Sequence, residues 1–416
     1  MSGSGPSVGS PNGVVSDAGG RGVAPPPARR LRGPAGRRLK IERRPHTVSL
    51  VWYRLGGALV GLIVAVAAVP LYASGSPGEL YGKLWTGTFG SVLGWESVLI
   101  AATPLILAAL AAALPYRIGL WNIGVDGQMY MGAWVAAGIA FTLPEMTQVA
   151  LIPAMLIGSA VGGAAWMLVP ALARALLGVN EIVTTLMLNF VAVYWVTYWA
   201  SGPWAQQNSV GGVQSKLLPP PAELIRVNLG PVSIHWGFVL AVVVGVVLAV
   251  ALRFSRLGFE LPILGAGARA GAYAGIATRR RIVQVMLLGG AMGGLAGVVE
   301  MMGTVHQYSA AISDNTGYAG VVVAILAAGS EVAVLGIGVL FAGISVGGAV
   351  LTTNNVSPGV ATGLFGVVLL FAAIGDSLAR FRISLPVRER RAVPGSPLDG
   401  ALAPDRGPVT TGGPPA

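Results

Sequence analysis

The sequence predicts an all-α membrane protein: a polytopic bundle of about ten transmembrane helices with disordered N- and C-terminal tails. Three observations carry that prediction. Hydrophobic residues fill 54% of 416 positions and charged residues only 10%, where a soluble globular domain carries about 25% charged residues. Apolar segments near the roughly 20 residues needed to cross a bilayer recur along the middle of the chain. The Arg and Lys residues avoid that middle and crowd into the two ends and a few connections, the pattern by which membrane orientation is encoded.

Residues 1–46 are rich in Gly, Pro, Ser and Arg, with runs such as APPPARRLRGPAGRR. Such a segment cannot bury enough apolar surface to fold. It is too long and basic for a signal n-region, so the first apolar stretch reads as a retained anchor. The membrane domain is assigned to 47–380 and a second Pro/Gly-rich tail to 381–416, its most polar part running from 386. The apolar segments fall at 48–72, 97–115, 119–143, 149–173, 182–200, 235–252, 282–303, 318–335, 336–354 and 359–379. With the N-terminus in the cytoplasm and ten alternating spans, 24 basic residues lie inside and 3 (Lys83, Lys216 and Arg226) outside. That split orients both termini to the cytoplasm, and an odd span count would spoil it.

Composition also excludes functions. There is no cysteine, and His46, His235 and His306 are far apart, so neither a disulfide framework nor a metal site is expected. A net charge of +11 confined to tails and loops marks orientation and not nucleic-acid binding. No HExxH, nucleophile elbow or other catalytic constellation occurs, so no enzyme is expected. An ion-coupled secondary transporter needs midplane titratable groups and an internal repeat, but the 16 acids lie mostly in tails or loops.

Small residues recur four apart within the spans: Gly158 and Gly162, then Gly289, Gly293 and Gly297, then Gly343 and Gly347. That spacing lets helix backbones approach closely where lipid offers no hydrophobic drive, so these are read as packing residues.

The third apolar segment opens GLWNIGVDGQMYM. If its helix begins at Gly119, Asp126 lies about 10 Å along it, and Asn122, Asp126 and Tyr130 share one face. A charge at membrane depth is costly unless it faces a wet or paired interior. Asn122, Asp126 and Gln128 are therefore candidates to line a pathway, the alternative being helix capping and packing; Gly119, Gly124 and Gly127 also allow a broken element. Asn189 and Glu300 are further pathway candidates. Glu181, after Asn180, suits a helix N-terminus. Tyr194, Trp195, Tyr198, Trp199 and Trp204 read as an interfacial aromatic belt, with stacking on a planar solute as the alternative.

The longest internal cytoplasmic segment is 254–281. Between Ala266 and Ile276 nearly every residue is Ala or Gly, with Arg269 and Tyr273 four apart on one face. A thin helix with two projecting side chains suits a groove on another protein. A helix lying on lipid would carry Leu, Phe or Trp where this one carries Ala. No phosphate-cradling GxxxxGK motif is present: Lys83 stands in YGKLW and Lys216 in QSKLL. Energy must therefore come from a separate cytoplasmic motor docked on this loop.

Four stretches in order, NIGVDGQMYMGA (122–133), NEIVTTLMLNF (180–190), GARAGAYAGI (267–276) and TGYAGVVVAILAAGSEVAVLGIGVLFAG (316–343), resemble the permease subunits of ABC importers for nucleosides and simple sugars. GGLAGVVEMMG before the last stretch resembles them too, and the likeness covers roughly residues 50–380. Related permeases carry branched-chain amino acids and ribose. The resemblance implies import of a small polar solute, a nucleoside first, with a simple sugar or branched-chain amino acid as the alternative. It also implies a cytoplasmic ABC ATPase, a second permease subunit in a heterodimer, and an extracellular substrate-binding lipoprotein of the basic-membrane-protein type. ATP and Mg would sit on the ATPase, with no cofactor on this chain. Carried over by position, Gly265, Arg269, Ala270, Tyr273, Gly275 and Ile276 fall on the ATPase-contact loop. Asn122, Gly124, Asp126, Gly127 and Gln128 fall on the third-span motif. The chain departs from the family where Asn is often found at Gly267, Glu at Asp126, and Asp at Ala319.

Overall fold

The computed structural model describes residues 50–68, with side chains from 56, and residues 76–206 and 213–354. It further describes isolated positions at 70 and between 356 and 378, and the backbone of 31–32, 38–43 and 381–384. Most of both tails, and 10 of the 21 positions of the segment expected to span 359–379, lie outside the described residues. The chain divides into two units, one from the tails and one from His46–Arg380. In the tail unit the described backbone forms a three-stranded antiparallel sheet with Arg38–Arg43 in the middle, where the sequence predicts disorder.

The second unit is helical. After α1 (Leu50–Ala68) comes a short helix absent from the predicted spans, α2 (Pro77–Gly87), whose Ser76 cap accepts the Glu79 N–H at 3.3 Å. Ser91 caps α3 (Val92–Tyr116) in the same way, accepting the Gly94 N–H at 3.0 Å. Every residue of α3 from Ala102 to Pro115 is buried. A helix apolar on all sides belongs inside, and α3 packs against α7 (Trp236–Phe254), α10 (Thr278–Glu300), α11 (Thr316–Leu326) and α12 (Glu331–Thr353). Beyond α10, α5 (Gln148–Leu177) packs against both α10 and α4 (Val125–Thr142), and α6 (Glu181–Ser201) packs against α4 and α5. Two short helices, α8 (Arg256–Gly265) and α9 (Ala268–Tyr273), join α7 to α10.

Three glycines of α10, spaced four apart, each sit at a close approach to a neighbouring helix. A Cβ on Gly289 would stand 2.7 Å from the Ala111 carbonyl of α3. One on Gly293 would stand 2.5 Å from Gln128 Oε1, and one on Gly297 2.0 Å from the Met129 carbonyl, both on α4.

Among the described residues six helices are long and apolar enough to cross a membrane: α3, α5, α6, α7, α10 with its following turn to Val305, and α12. The expected boundaries need two corrections. The third helix does not begin at Gly119. Gly119 takes φ +75°, Leu120–Gly124 run without helix, and α4 starts at Val125. Asp126 therefore sits in the first turn and not about 10 Å along, and Asn122 precedes the helix instead of sharing its face. The span expected at 318–335 is also broken. Ala328 (φ +52°) and Gly329 (φ +74°) end α11, and the Ser330 hydroxyl caps α12 by accepting the Ala333 N–H at 3.4 Å. Upstream, α10 unwinds through a π turn at Met301–Val305 into an extended segment, Gln307–Ser309, that pairs with Gln214–Leu217. Asp314 and Asn315, both at positive φ, then lead into α11.

Candidate functional site

Where α4 and α11 begin, their N-termini meet around one carboxylate. Asp126 Oδ1 accepts the Ser313 hydroxyl and, at 2.8 Å, the backbone N–H of Gly317. Two helix N-termini thus face one acid, the arrangement their dipoles favour. Asp126 Oδ2 is buried with no partner. The neighbouring amides stitch the non-helical Leu120–Gly124 segment in place. Asn122 Nδ2 donates to the Ala111 carbonyl at 3.1 Å and to Gln128 Oε1 at 3.2 Å. Asn122 Oδ1 accepts from Gln128 Nε2 at 2.8 Å and from the Gly124 N–H at 3.1 Å. Asn189 of α6 accepts the Gly127 N–H at 2.9 Å and donates to the Ile123 carbonyl at 2.8 Å and the Tyr318 hydroxyl at 3.2 Å. Asn122, Asp126, Gln128 and Asn189 are all at most 5% exposed, so these pairings are what makes their burial tolerable. One turn further along α4, the Tyr130 hydroxyl donates to the Ala310 carbonyl at 3.0 Å.

Glu300 takes no part in this knot. It stands half-buried at the end of α10 and accepts the Thr304 hydroxyl at 3.4 Å. Glu181 is buried, accepts the Trp121 N–H at 3.3 Å and pairs with Arg174 at 3.3 Å, while Asn180 supplies the helix cap. The aromatic belt reading fits Tyr194 and Tyr198, which are 76% and 63% exposed. It does not fit Trp195, Trp199 and Trp204, which turn inward onto Trp134 of α4.

A second group ties the knot to α8 and α9. Arg117, just past α3, pairs with the buried Glu331 carboxylate and donates through Nε to the Gly329 carbonyl at 2.9 Å. A Cβ on Gly265 would come within 2.5 Å of the Arg117 carbonyl, so the end of α8 lies directly on this backbone. Beyond it, Gly267 adopts φ +137°, a conformation glycine accepts and asparagine does not favour. On α9, Arg269 is exposed and Tyr273 is 94% exposed; Gly275 is exposed at φ +68°, and Ala270 and Ile276 are half-buried. The base of the loop is clasped by Arg281, which donates to both oxygens of Glu260. That bonding holds the Glu260 carboxyl below its ordinary value.

Residues 94–373 match the family described as the permease component of the branched-chain amino acid transport system. The chain belongs to this permease family. It is 33% identical to a glucose ABC transporter permease of Haloferax volcanii, over 85% of this chain and 96% of that one. It is 32% identical to a guanosine ABC transporter permease of Bacillus subtilis, covering 80% and 94%, and 28% identical to a nucleoside ABC transporter permease of Lactococcus lactis, covering 84% and 94%. The protein is thus a multi-pass membrane permease subunit of an ABC importer. The family consists of transport subunits that are not themselves enzymes, and an ATPase and a substrate-binding protein accompany it.

Within this permease the sequence pointed to Asn122, Asp126, Gln128 and Asn189 without their partners. Ser313, Gly317 and Tyr318 complete the knot, and Arg117 and Glu331 link it to the loop. The signal for the first three was the turn-forming run SDNTG inside an apolar stretch. Arg117 and Glu331 were isolated charges beside helix ends, and nothing in their spacing announced the pair.

Proposed function

We propose that this permease imports a nucleoside and couples it to ATP hydrolysis on a partner through α8, α9 and the Arg117–Glu331 pair. The single observation that carries the coupling is the approach of Gly265 to the Arg117 carbonyl, where a Cβ would stand at 2.5 Å. A push on the exposed face of α9 reaches the α3–α4 connection through that contact. From Arg117 it continues to Gly329 and Glu331, the hinge between α11 and α12. Both routes end at the Asp126 knot, where the N-termini of α4 and α11 meet. Alternating access would then be a rocking of the broken α11 crossing against α4, with Asn122, Asp126, Gln128 and Asn189 as the gate and Glu300 nearer the outer mouth.

The nucleoside assignment draws on the guanosine and nucleoside permeases among the relatives and on the sequence motifs. In this reading the chain makes ten crossings, one being the extended segment and short helix over 307–326. Both termini are cytoplasmic, as the partition of Arg and Lys favours. A second permease subunit completes a heterodimer, and an extracellular lipoprotein delivers the solute. ATP and Mg bind on the ATPase, and this chain carries no cofactor.

The test is co-purification followed by transport. The chain is co-expressed with an ATPase, a second permease and a binding lipoprotein from its own genome, with and without Tyr273→Ala and Arg269→Glu. The expected result is that the wild type retains the ATPase and takes up guanosine in an ATP-dependent manner in vesicles, whereas both variants lose the ATPase. Unchanged complex and uptake in the variants would defeat the coupling assignment, and uptake of glucose without guanosine would defeat the substrate.

A further inference from the structure

The outer half of the bundle holds a group of six rings that the gate does not use. Trp134 of α4, Trp199 of α6 and Trp204 just beyond it form a triangle with ring centroids 5.4, 4.7 and 6.4 Å apart. Trp195 adds to one side, 5.3 Å from Trp134, and Phe141 and Tyr308 to the other, 5.2 and 5.5 Å from Trp204. We infer that this cluster is a solute site for a neutral planar heterocycle rich in hydrogen-bond acceptors, a nucleobase in chemical terms; the inference rests on the import reading above and names the part of the solute held here.

Belt tryptophans hold their N–H groups at the wet interface. Here the indole nitrogens of Trp134, Trp195 and Trp199 are buried with no partner, and so is the hydroxyl of Tyr308, itself 0% exposed. Buried donors are satisfied in most folded proteins, and an indole N–H can only donate. Several unmatched donors within one cluster of rings describe a wall that lacks an acceptor. A nucleobase supplies acceptors along its edge and a face on which rings stack, the mode by which aromatic side chains hold bases. A sugar's hydroxyl oxygens also accept, but each hydroxyl brings a donor of its own for which the indoles offer no acceptor. A cation, the other common guest of aromatic cages, is opposed by Lys216, whose Nζ already lies 4.6 Å from the Phe141 ring centroid.

The position suits a stage before the gate. Asp126, Tyr130, Trp134 and Gly138 follow one another at four-residue intervals along α4, so one helix face runs from the cluster down to the knot. Two of the rings sit on a lid. The Trp204 carbonyl accepts the Lys216 N–H at 2.7 Å, and the Tyr308 N–H donates to the Ser215 hydroxyl at 2.8 Å. The short strand Gln214–Leu217 thus holds both, and its displacement would part the rings.

The experiment titrates the full chain in lipid nanodiscs with guanosine and, separately, with glucose, reading tryptophan fluorescence corrected for guanosine absorbance. The variants are Trp134→Phe and Trp199→Phe, which keep a ring and delete the donor, with Trp85→Phe, 63% exposed on α2, as the control. Saturable quenching by guanosine alone is expected, weakened about five- to tenfold by each of the first two variants, as loss of one hydrogen bond implies, and unaltered by the third. No saturable response, an equal response to glucose, or unchanged affinity in both variants would overturn the site. Unchanged affinity together with guanosine uptake by the assembled transporter overturns the site and leaves nucleoside import standing. Weakened affinity without uptake upholds the site and removes the import reading.

Discussion

Gly317 donates its backbone N–H to the Asp126 carboxylate at 2.8 Å across 191 positions of sequence. Through that bond the first turn of α11 rests on the first turn of α4, and each helix end presents its positive dipole to the same acid. Two short, irregular approaches, Leu120–Gly124 and Ala310–Asn315, are thereby pinned together in the apolar interior.

Asp126→Ala should lower stability by about 2 kcal/mol, the scale for hydrogen bonds to a charged acceptor. Asp126→Asn should cost less, because its amide oxygen still accepts. Gly317→Ala would push a methyl to 2.4 Å from Asp126 Oδ1 and break the same contact from the other side. The double variant should therefore be less destabilised than the sum of the singles. Unfolding in detergent micelles measures all four, and strict additivity would show that the two residues act independently.

Arg117→Ala leaves the Glu331 carboxylate, 3% exposed on its side chain, without its cation. Removing one partner of a buried pair is expected to cost about 3 kcal/mol. Replacing both, as Arg117→Met with Glu331→Leu, should recover most of that loss. The recovered protein should nonetheless uncouple, with solute-stimulated ATP hydrolysis by the assembled complex falling. Full stimulation in the double variant would mean that the pair only stabilises the fold.

The membrane class was legible from composition and the clustering of arginines, because both follow from the cost of charge in lipid. The loop helix was legible from Arg269 and Tyr273, because a chain of Ala and Gly leaves little else to project. The start of α4 and the break between α11 and α12 were not placed to the residue. Gly119 and Gly329 sit in apolar runs whose hydropathy is that of a continuous span, and hydropathy averages over the positive φ that breaks the helix. The polar residues of 122–128 were legible as a group, but their partners come from Ala111, Asn189, Ser313 and Gly317, contacts that no local period encodes. The tryptophans illustrate the same limit: period places them at the outer end of α6, while packing against Trp134 decides that three of them face inward.

Acid should loosen the base of the α8–α9 loop, the proposed ATPase contact. Arg281 holds the Glu260 carboxyl below its ordinary value, so the stabilisation it gives is present above the unfolded-state glutamate pKa of about 4.3. It is lost as pH falls through the lower folded value. ATPase retention by the wild type should thus be flat from neutral pH down to about 5 and weaken only below the usual glutamate range. Glu260→Gln should remove that acid-side dependence. A midpoint near neutrality would point to a different group.

Gly293 and Gly297 of α10, one turn apart, should not be equivalent. Gly297→Ala sets a Cβ 2.0 Å from the Met129 carbonyl, which is backbone and cannot swing aside. Gly293→Ala meets the Gln128 side chain at 2.5 Å, and a side chain can yield at the expense of its bonds to Asn122. Gly336 of α12 has nothing within 4 Å of its added Cβ. Overpacking costs about 1–3 kcal/mol, so Gly297→Ala should fall at the top of that range, Gly293→Ala below it, and Gly336→Ala within about 0.5 kcal/mol of the wild type. Thermal unfolding in micelles gives the order. Because Met129 lies one turn past Asp126 on α4, Gly297→Ala should also displace the knot, and guanosine uptake should fall further than the stability loss alone accounts for. Uptake that tracks stability across all three variants would separate helix packing from the gate.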